Sequence, residues 1–261
     1  MATAPSRQEN PKVVSQAEWL AARKELLQKE KQFTKLRDEL SAQRRELPWE
    51  KVEKQYVFDG PNGKETLADL FGGRSQLIVY HFMLGPGWVE GCPSCSFISD
   101  HIDASVVHLA ARDVKLMVVS RAPLAEIESF KKRMGWRFKW VSSNGSDFNY
   151  DYQVSMSKEE LAKGQVYYNY TMQQFPSEER PGTSVFYKDA AGNIFHTYSS
   201  YGRGLDILIG AYNWLDLAPK GRDEEGLKHG MAWVRHHDKY IDGQIVDATK
   251  AYTQPQRSDV K

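Results

Sequence analysis

The chain has 261 residues, of which 41% are hydrophobic and 26% are charged. This length suffices for one large domain, with or without an appendage, and for a core that needs no disulfide bonds. The 35 basic and 34 acidic residues leave a net charge of +1, which argues against a dedicated nucleic-acid-binding protein. No apolar run approaches the ~20 residues that span a bilayer, and Met1–Asn10 lacks the apolar stretch of a secretory signal. We therefore expect a soluble, cytoplasmic protein with no nucleic-acid and no membrane partner.

Residues 15–47 have the pattern of one long helix. Ser15 and Glu18 have the spacing of an N-terminal capping box. Apolar residues recur every seven positions, at Trp19, Leu26, Phe33, Leu40 and Leu47. This narrow stripe fits either a helix packed on its own domain or an arm that embraces a second subunit. Because Lys29 and Gln43 interrupt the neighbouring row, we expect the arm to lie across a partner's globular domain in a twofold homodimer, and not to form an isolated coiled coil.

From residue 56 the pattern changes to alternating strands and helices. The predicted strands are Tyr56–Phe58, Leu77–Met83, Val114–Val119 and, at a sheet edge, Phe138–Val141; the predicted helices are Thr66–Phe71, Phe97–Arg112 and Leu124–Met134. Strands and helices in close alternation predict a sheet that is at least partly parallel, and therefore an α/β fold.

The C-terminal half begins with a long insert, residues 142–182, that is rich in tyrosine and phenylalanine. Its aromatic residues could line a substrate pocket or form a second small core. Two runs, Ser184–Lys188 and Asn193–Tyr198, then predict a β-hairpin, and Leu205–Leu217 predicts a last helix. We divide the chain into a helical arm (1–50), a domain with the insert (51–218) and a polar, extended tail (219–261).

The two cysteines, Cys92 and Cys95, form a Cys-x-x-Cys motif between a buried strand and a helix. This spacing places both sulfurs within one helical turn, where a disulfide needs little backbone movement. Pro93 suits the first helical position, where its missing N–H is not needed. Cys92 faces the unpaired N–H groups of the helix start, which stabilise a thiolate, so it is the expected nucleophile and Cys95 the resolving thiol. Two inert core cysteines, or a metal site, are the alternatives.

A metal site would need more ligands than the dithiol supplies. His81, at the end of the central strand, or His196, in the hairpin, could join Cys92 and Cys95 in a copper or zinc site, because thiolates select Cu(I) or Zn. Such a protein would be a metal carrier or a metalloenzyme. His236 and His237 are expected to dock the tail.

Several blocks of sequence resemble a known family. They are Trp88–Phe97, Ser120–Leu124, Arg133–Trp136, Asp147–Asp151, Ser184–Asp189 and Met231–Asp238. From about residue 13 to residue 240 the chain is similar to an uncharacterised bacterial and fungal domain-of-unknown-function family, regarded as thioredoxin-like dithiol–disulfide oxidoreductases. The resemblance implies a thioredoxin-like fold, a mixed central sheet flanked by helices, here with a long N-terminal helix and an insert before the C-terminal hairpin. It marks Cys92 and Cys95 as the redox pair and implies no substrate.

The chain departs from ordinary thioredoxins near the motif. Trp88 stands four residues before Cys92 and not directly beside it. Pro181 is the candidate for the thioredoxin cis-proline, although Gly182 and Thr183 separate it from the predicted strand. Trp88, Pro93, Ser94, Pro181 and Thr183 are therefore the expected supporting residues. Peroxiredoxins carry Thr-x-x-Cys, with Cys92 here in place of the threonine, so a peroxidase based on Cys95 is a further possibility.

Three functions follow from these observations. The leading hypothesis is a thiol–disulfide oxidoreductase that needs no cofactor and acts on an unidentified disulfide or small molecule. The second is a copper- or zinc-binding protein or metalloenzyme on the same fold. The third is a scaffold that depends on the helical arm.

Overall fold

The computed structural model describes residues 11–174, 176–241 and 244–248. Met1–Asn10, Phe175 and the predicted tail beyond residue 248 lie outside the described residues. The chain divides into two compact units, Met1–Leu47 and Pro48–Lys261. The predicted division into arm, domain and tail stays a prediction.

From residue 11 onward, the first unit consists of one helix, α1 (Gln16–Glu46), and short flanking segments. Its predicted capping box is present, since the Ser15 hydroxyl accepts from the Glu18 backbone N–H and the Glu18 carboxylate accepts from the Ser15 backbone N–H. None of the 31 residues of α1 is buried. Within the part of the chain that the structure describes, no helix combines the length and the apolar character needed to cross a bilayer.

The second unit is built on an eight-stranded mixed sheet. Its strands are β1 (Glu50–Lys51), β2 (Val57–Gly60), β3 (Gly63–Thr66), β4 (Gln76–His81), β5 (Val114–Ser120), β6 (Trp140–Ser142), β9 (Gly182–Lys188) and β10 (Ile194–Tyr201), in the order β1-β10-β9-β4-β5-β6-β2-β3. A separate hairpin consists of β7 (Val166–Tyr168) and β8 (Thr171–Gln173).

Short helices connect and cover these strands. They are α2 (Leu67–Leu70), α3 (Pro93–Ser99), α4 (Ile102–Ala110), α5 (Leu124–Arg133), α6 (Phe148–Asp151), α7 (Lys158–Ala162) and α8 (Gly210–Leu215), with 3-10 turns at Gly202–Leu208 and His237–Lys239.

The centre of the sheet has the thioredoxin topology. Strands β4 and β5 are parallel and are joined through α3 and α4, whereas β9 runs antiparallel to β4 and forms a hairpin with β10. The resulting strand order, β10-β9-β4-β5, and the helix α8 that follows complete the arrangement. The predicted thioredoxin-like α/β fold, with a long N-terminal helix and an insert before the hairpin, is confirmed.

Each face of the sheet carries its own core, because side chains alternate along a strand. On β4, Leu77 and Val79 belong to one cluster, whereas Tyr80 belongs to the other, which also contains Cys95. The dithiol and α3 therefore lie on the Tyr80 side of the sheet, and His81 points to the opposite side among the rings of Phe148 and Tyr152.

Several element predictions were wrong in detail. The predicted helix Phe97–Arg112 is divided at Asp100 and His101 into α3 and α4, and the predicted helix Leu205–Leu217 becomes a 3-10 turn followed by α8. The predicted edge strand is an interior strand, because β6 pairs with β5 and with β2, which adds the β2–β3 hairpin outside it.

The segment after α8 is not an extended tail over residues 219–241. Ala232, Val234 and His236 are buried there. The apolar residues among the polar ones explain the difference, because they gain a buried environment by packing on the domain.

Candidate active site

The loop between β4 and α3 holds Cys92 at the start of the helix. The Cys92 backbone N–H donates to the Met83 carbonyl at 3.0 Å. Its own carbonyl accepts from the Ser96 backbone N–H at 2.9 Å and from the Ser96 hydroxyl at 3.0 Å. Pro93 is the first residue of α3, so Cys92 directly precedes the helix, as the sequence predicts. The three hydrogen bonds hold the Cys92 backbone in this position.

The two thiols differ in exposure and in acidity. Cys92 is half-buried, whereas Cys95 is 1% exposed, and both are free thiols. A hydrogen bond from the Cys95 thiol lowers the pKa of Cys92 to about 7, with help from the backbone N–H groups of Cys95 and Ser94 and against the effect of burial. Burial and the adjacent Cys92 raise the pKa of Cys95 well above its ordinary value. The pair therefore combines a partly exposed thiol of lowered pKa with a buried thiol of raised pKa.

Tyr80 lies beside the buried thiol. It is 2% exposed, and its hydroxyl has no conventional hydrogen-bond partner among the described residues. The pKa of Tyr80 is raised mainly by burial and further by the neighbouring Cys95. In turn, the Tyr80 hydroxyl acts to lower the pKa of Cys95. Because a neutral phenol is a hydrogen-bond donor, Tyr80 is placed to stabilise a Cys95 thiolate. No motif in the sequence indicated this residue.

The segment that contains Met231–Asp238 packs beside the dithiol helix. The ring of Phe97, on α3, makes an edge contact with Trp233 at 5.6 Å between centroids. His236 is buried, and its Nε2 lies 2.8 Å from the carbonyl oxygen of Gly91. Since a carbonyl oxygen only accepts, Nε2 carries the hydrogen and donates. The histidine that the sequence assigned to docking thus bonds to the residue preceding Cys92.

Glu90 anchors the same segment. It is buried and accepts hydrogen bonds from Arg133 at 2.6 Å and from Lys239 at 2.8 Å. Burial raises the pKa of Glu90, but these two hydrogen bonds outweigh it and hold the pKa below its ordinary value. The positive charges of these two partners compensate the charge of the buried carboxylate. Because Arg133 lies on α5 and Lys239 in the C-terminal segment, Glu90 joins both to the active-site loop.

Gly91 is required by close packing. A Cβ atom at this position would lie 2.3 Å from the Phe82 ring and 2.8 Å from the Phe130 ring. Any larger residue would therefore displace the loop that carries Cys92.

Two of the expected supporting residues, Pro181 and Thr183, lie at the same end of the sheet as the dithiol loop. Pro181 directly precedes β9, whose first residue, Gly182, pairs with His81 at the end of β4, and Thr183 pairs with Tyr80. The strand therefore begins two residues earlier than predicted. No cis peptide bond occurs in the described ranges, so Pro181 lacks the cis bond of the thioredoxin proline. Trp88 packs against the core that contains the dithiol.

The histidines of the metal hypothesis are not brought to the dithiol. His81 Nε2 lies 2.9 Å from the Ser184 hydroxyl, which lies 2.9 Å from the Ser199 hydroxyl; His196 Nε2 lies 2.7 Å from Ser199. This polar chain belongs to the face of the sheet opposite Cys92 and Cys95, because side chains alternate along β4. The described residues contain no group of three or more His, Cys, Asp or Glu side chains arranged to hold a metal ion.

Part of the insert forms a small core together with Tyr201. Val154, Met156, Val166, Tyr168 and Tyr201 make a third buried cluster. The Tyr168 hydroxyl donates to the Pro181 carbonyl at 2.6 Å and accepts from the Gly202 backbone N–H at 3.0 Å. Of the aromatic residues of the insert, Tyr168 lies in this cluster, whereas Phe148 and Tyr152 pack in the cluster of Leu77 and Val79. The expectation that these aromatic residues form a second small core therefore holds only in part. The third cluster holds the segment before β9 in place.

Comparison with known proteins gives structural similarity at low sequence identity. Peroxidoxin BcpB from Mycobacterium tuberculosis is 10% identical with a TM-score of 0.41, and the match covers 63% of this chain and 94% of that one. A Peroxiredoxin Q mutant from Xanthomonas campestris is 13% identical with a TM-score of 0.41, covering 60% and 90%. A protein designated thiol:disulfide interchange protein DsbE, from Chlorobium tepidum, is 13% identical with a TM-score of 0.38, covering 63% and 97%.

A search of the curated proteins gave no match. One family, described as bacterial protein of unknown function (DUF899), matches residues 8–240. This range includes the Cys-x-x-Cys motif and the segment that docks beside it. The expected membership of a thioredoxin-like family of unknown function is confirmed, and the chain belongs to the DUF899 family.

Proposed function

We propose that the protein is a thiol–disulfide oxidoreductase in which Cys92 is the nucleophile and Cys95 the resolving thiol. The observation that carries the proposal is the asymmetry of the pair. Cys92 is partly exposed and has a lowered pKa, whereas Cys95 is buried one helical turn away with a raised pKa. An attacking thiol works best when its pKa lies near the ambient pH, which is the condition of Cys92.

The reaction proceeds in two exchanges. The Cys92 thiolate attacks one sulfur of a substrate disulfide, forms a mixed disulfide and releases the other substrate sulfur as a thiolate, which takes up a proton from water. Cys95 then loses its proton and attacks the Cys92 sulfur. This forms the Cys92–Cys95 disulfide and releases the second substrate thiolate. Two electrons pass from the dithiol to the substrate, and the same steps in reverse oxidise a substrate dithiol.

Tyr80 is a positioning residue in the second exchange. Cys95 must become a thiolate in an apolar environment, where an uncompensated charge is costly. The Tyr80 hydroxyl faces this sulfur and has no conventional hydrogen-bond partner among the described side chains. It therefore donates to the sulfur as negative charge develops.

The same geometry disfavours a peroxidase that uses Cys95. A peroxide-reducing cysteine must be an accessible thiolate. Cys95 is instead buried, and burial raises its pKa.

The trapped intermediate tests the proposal. With Cys95→Ser, incubation with a disulfide such as 5,5′-dithiobis(2-nitrobenzoate) should leave a stable mixed disulfide on Cys92. The matched variant Cys92→Ser should remain largely unmodified, because Cys95 is buried. Faster modification of Cys95 in Cys92→Ser than of Cys92 in Cys95→Ser would reject the assigned roles. Stoichiometric copper or zinc that disappears with Cys92→Ser would support the metal-binding alternative instead.

A cytoplasmic location fits this proposal. Cellular reductants keep cytoplasmic thiols reduced, and a cytoplasmic dithiol of this kind is more often reactive than structural. The dithiol contains both cysteines of the chain.

A further inference from the structure

The helix α1 carries a stripe of exposed apolar side chains. Trp19 is 58% exposed and Phe33 is 64% exposed, and Leu26, Leu40 and Leu47, the last directly after the helix, are also exposed. The five residues are spaced by seven, which corresponds to one position of a coiled-coil heptad, position a. We propose that α1 pairs with α1 of a second copy of this chain in a parallel, in-register coiled coil.

The second row of the seam is only partly apolar. With Trp19 at position a, position d is occupied in turn by Ala22, Lys29, Leu36 and Gln43. Leu36 is exposed like the first row. Two polar residues lower the stability of a seam but do not prevent pairing, since polar seam residues commonly fix register.

Charged rows on the two sides of the seam identify the partner. Position g, on one side, is occupied by Glu18, Glu25, Gln32 and Glu39, and position e, on the other side, by Arg23, Glu30, Arg37 and Arg44. One row is predominantly acidic and the other predominantly basic. A helix with this distribution is complementary to a parallel copy of itself, because position g of one helix then faces position e, five residues later, of the other.

The individual pairs favour the parallel orientation. Glu39 faces the second copy's Arg44. Glu18 faces its Arg23, but this pair contributes less, because Glu18 caps its own helix and Arg23 binds Glu30 of its own helix at 2.8 Å. An antiparallel copy would bring the acidic row against the acidic row. The unfavourable parallel pair is Glu25 with Glu30, and it lies beside Lys29, whose long side chain can leave the seam and place its ammonium group between the two carboxylates.

This arrangement replaces the expectation that the arm lies across a partner's globular domain. Such a surface would favour a broader apolar face on the helix. The stripe of α1 is instead flanked by charged rows on both sides, and the exposed Leu20 and Leu27 lie beyond one of these rows, at position b. A second, parallel α1 covers this stripe and places opposite charges along both of its sides.

Charge reversal in the full-length protein tests the pairing. Sedimentation should show a dimer for the unaltered chain. Glu39→Lys alone and Arg44→Glu alone should each weaken dimerisation by about tenfold, because each places like charges together in two symmetric pairs. The double variant should recover affinity to within about threefold. Lys31→Glu, on the outer face at position f, is the matched control and should have no effect.

Crosslinking tests the orientation. Ala22→Cys, in a chain that also carries Cys92→Ser and Cys95→Ser, should form a disulfide between copies on oxidation, because equivalent residues meet only in a parallel pair. A monomeric full-length chain at micromolar concentration, or a dimer that is insensitive to both reversals, would overturn the proposal. So would a dimer that does not crosslink through position 22.

Discussion

The Nε2 atom of His236 lies 2.8 Å from the carbonyl oxygen of Gly91, the residue before Cys92. Burial lowers the pKa of His236, so the ring is neutral near neutral pH, and Nε2–H donates to this carbonyl. The C-terminal segment thereby fixes the backbone directly before Cys92.

Replacement of this donor should destabilise the domain. We expect His236→Ala to lower the free energy of unfolding by about 2 to 4 kcal/mol, since it removes a buried hydrogen bond and leaves a cavity beside Phe130. His236→Gln retains an N–H donor and should cost less. Urea denaturation of the three proteins measures the effect. Equal stability of His236→Ala and the unaltered chain would show that the contact contributes nothing.

The reactivity of Cys92 should follow its lowered pKa. The rate of alkylation by iodoacetamide should rise with pH and reach half of its maximum near pH 7, because the pKa of Cys92 is about 7 and the thiolate is the reactive form. Cys95→Ala removes the thiol that stabilises this thiolate, so its midpoint should move to higher pH. Cys95→Ser keeps a hydroxyl donor, so its midpoint should lie between those of the unaltered chain and of Cys95→Ala. A midpoint near 9 in the unaltered chain would disprove the assigned stabilisation.

Tyr80→Phe should slow the second exchange specifically. Without the hydroxyl, the pKa of Cys95 rises further, so less thiolate is available to attack the mixed disulfide. In stopped-flow reactions with a disulfide substrate, the mixed disulfide should accumulate, and its resolution should recover at higher pH. The alkylation rate of Cys92 should be unchanged. Resolution at the unaltered rate and pH dependence would exclude a role for Tyr80.

His81 should make the fold sensitive to acid. Burial lowers the pKa of His81 to about 3 from 6.5, so the folded protein keeps the ring neutral whereas the unfolded chain protonates it below pH 6.5. Stability is therefore fully present above pH 6.5 and falls by about 1.4 kcal/mol per pH unit as the pH decreases toward 3.

The substitution His81→Gln removes this titration but keeps a partner for Ser184. Between pH 6 and pH 4, the free energy of unfolding should fall less steeply for this variant than for the unaltered chain. The difference between the two slopes should be about 1.4 kcal/mol per pH unit. Urea titrations at several pH values measure the slopes, and identical slopes would contradict the burial of a neutral ring.

Local signals in the sequence predicted much of this structure. The continuous apolar runs of β4 and β5 predicted the central parallel pair, and the capping box of Ser15 and Glu18 predicted where α1 begins. The Cys-x-x-Cys motif predicted the placement of Cys92 because the strand end, Pro93 and the helix start are all neighbours in sequence.

Contacts between distant parts of the chain could not be predicted in this way. The position of Tyr80 beside Cys95 depends on which face of β4 the dithiol helix covers, and a one-residue shift would have placed His81 there. The bond from His236 to Gly91 joins residues that are 145 positions apart. The sequence predicted that His236 and His237 dock the tail, and Met231–Asp238 resembled a family block, but neither signal indicated Gly91 as the partner.

The redox equilibrium of the dithiol tests the central claim most directly. The unaltered protein is equilibrated in thiol–disulfide buffers of graded potential, quenched with acid, alkylated and analysed by mass spectrometry of its peptides. We predict a two-electron transition between two alkylated cysteines and a disulfide that joins Cys92 to Cys95. Failure of this disulfide to form at any potential of the series would contradict the account.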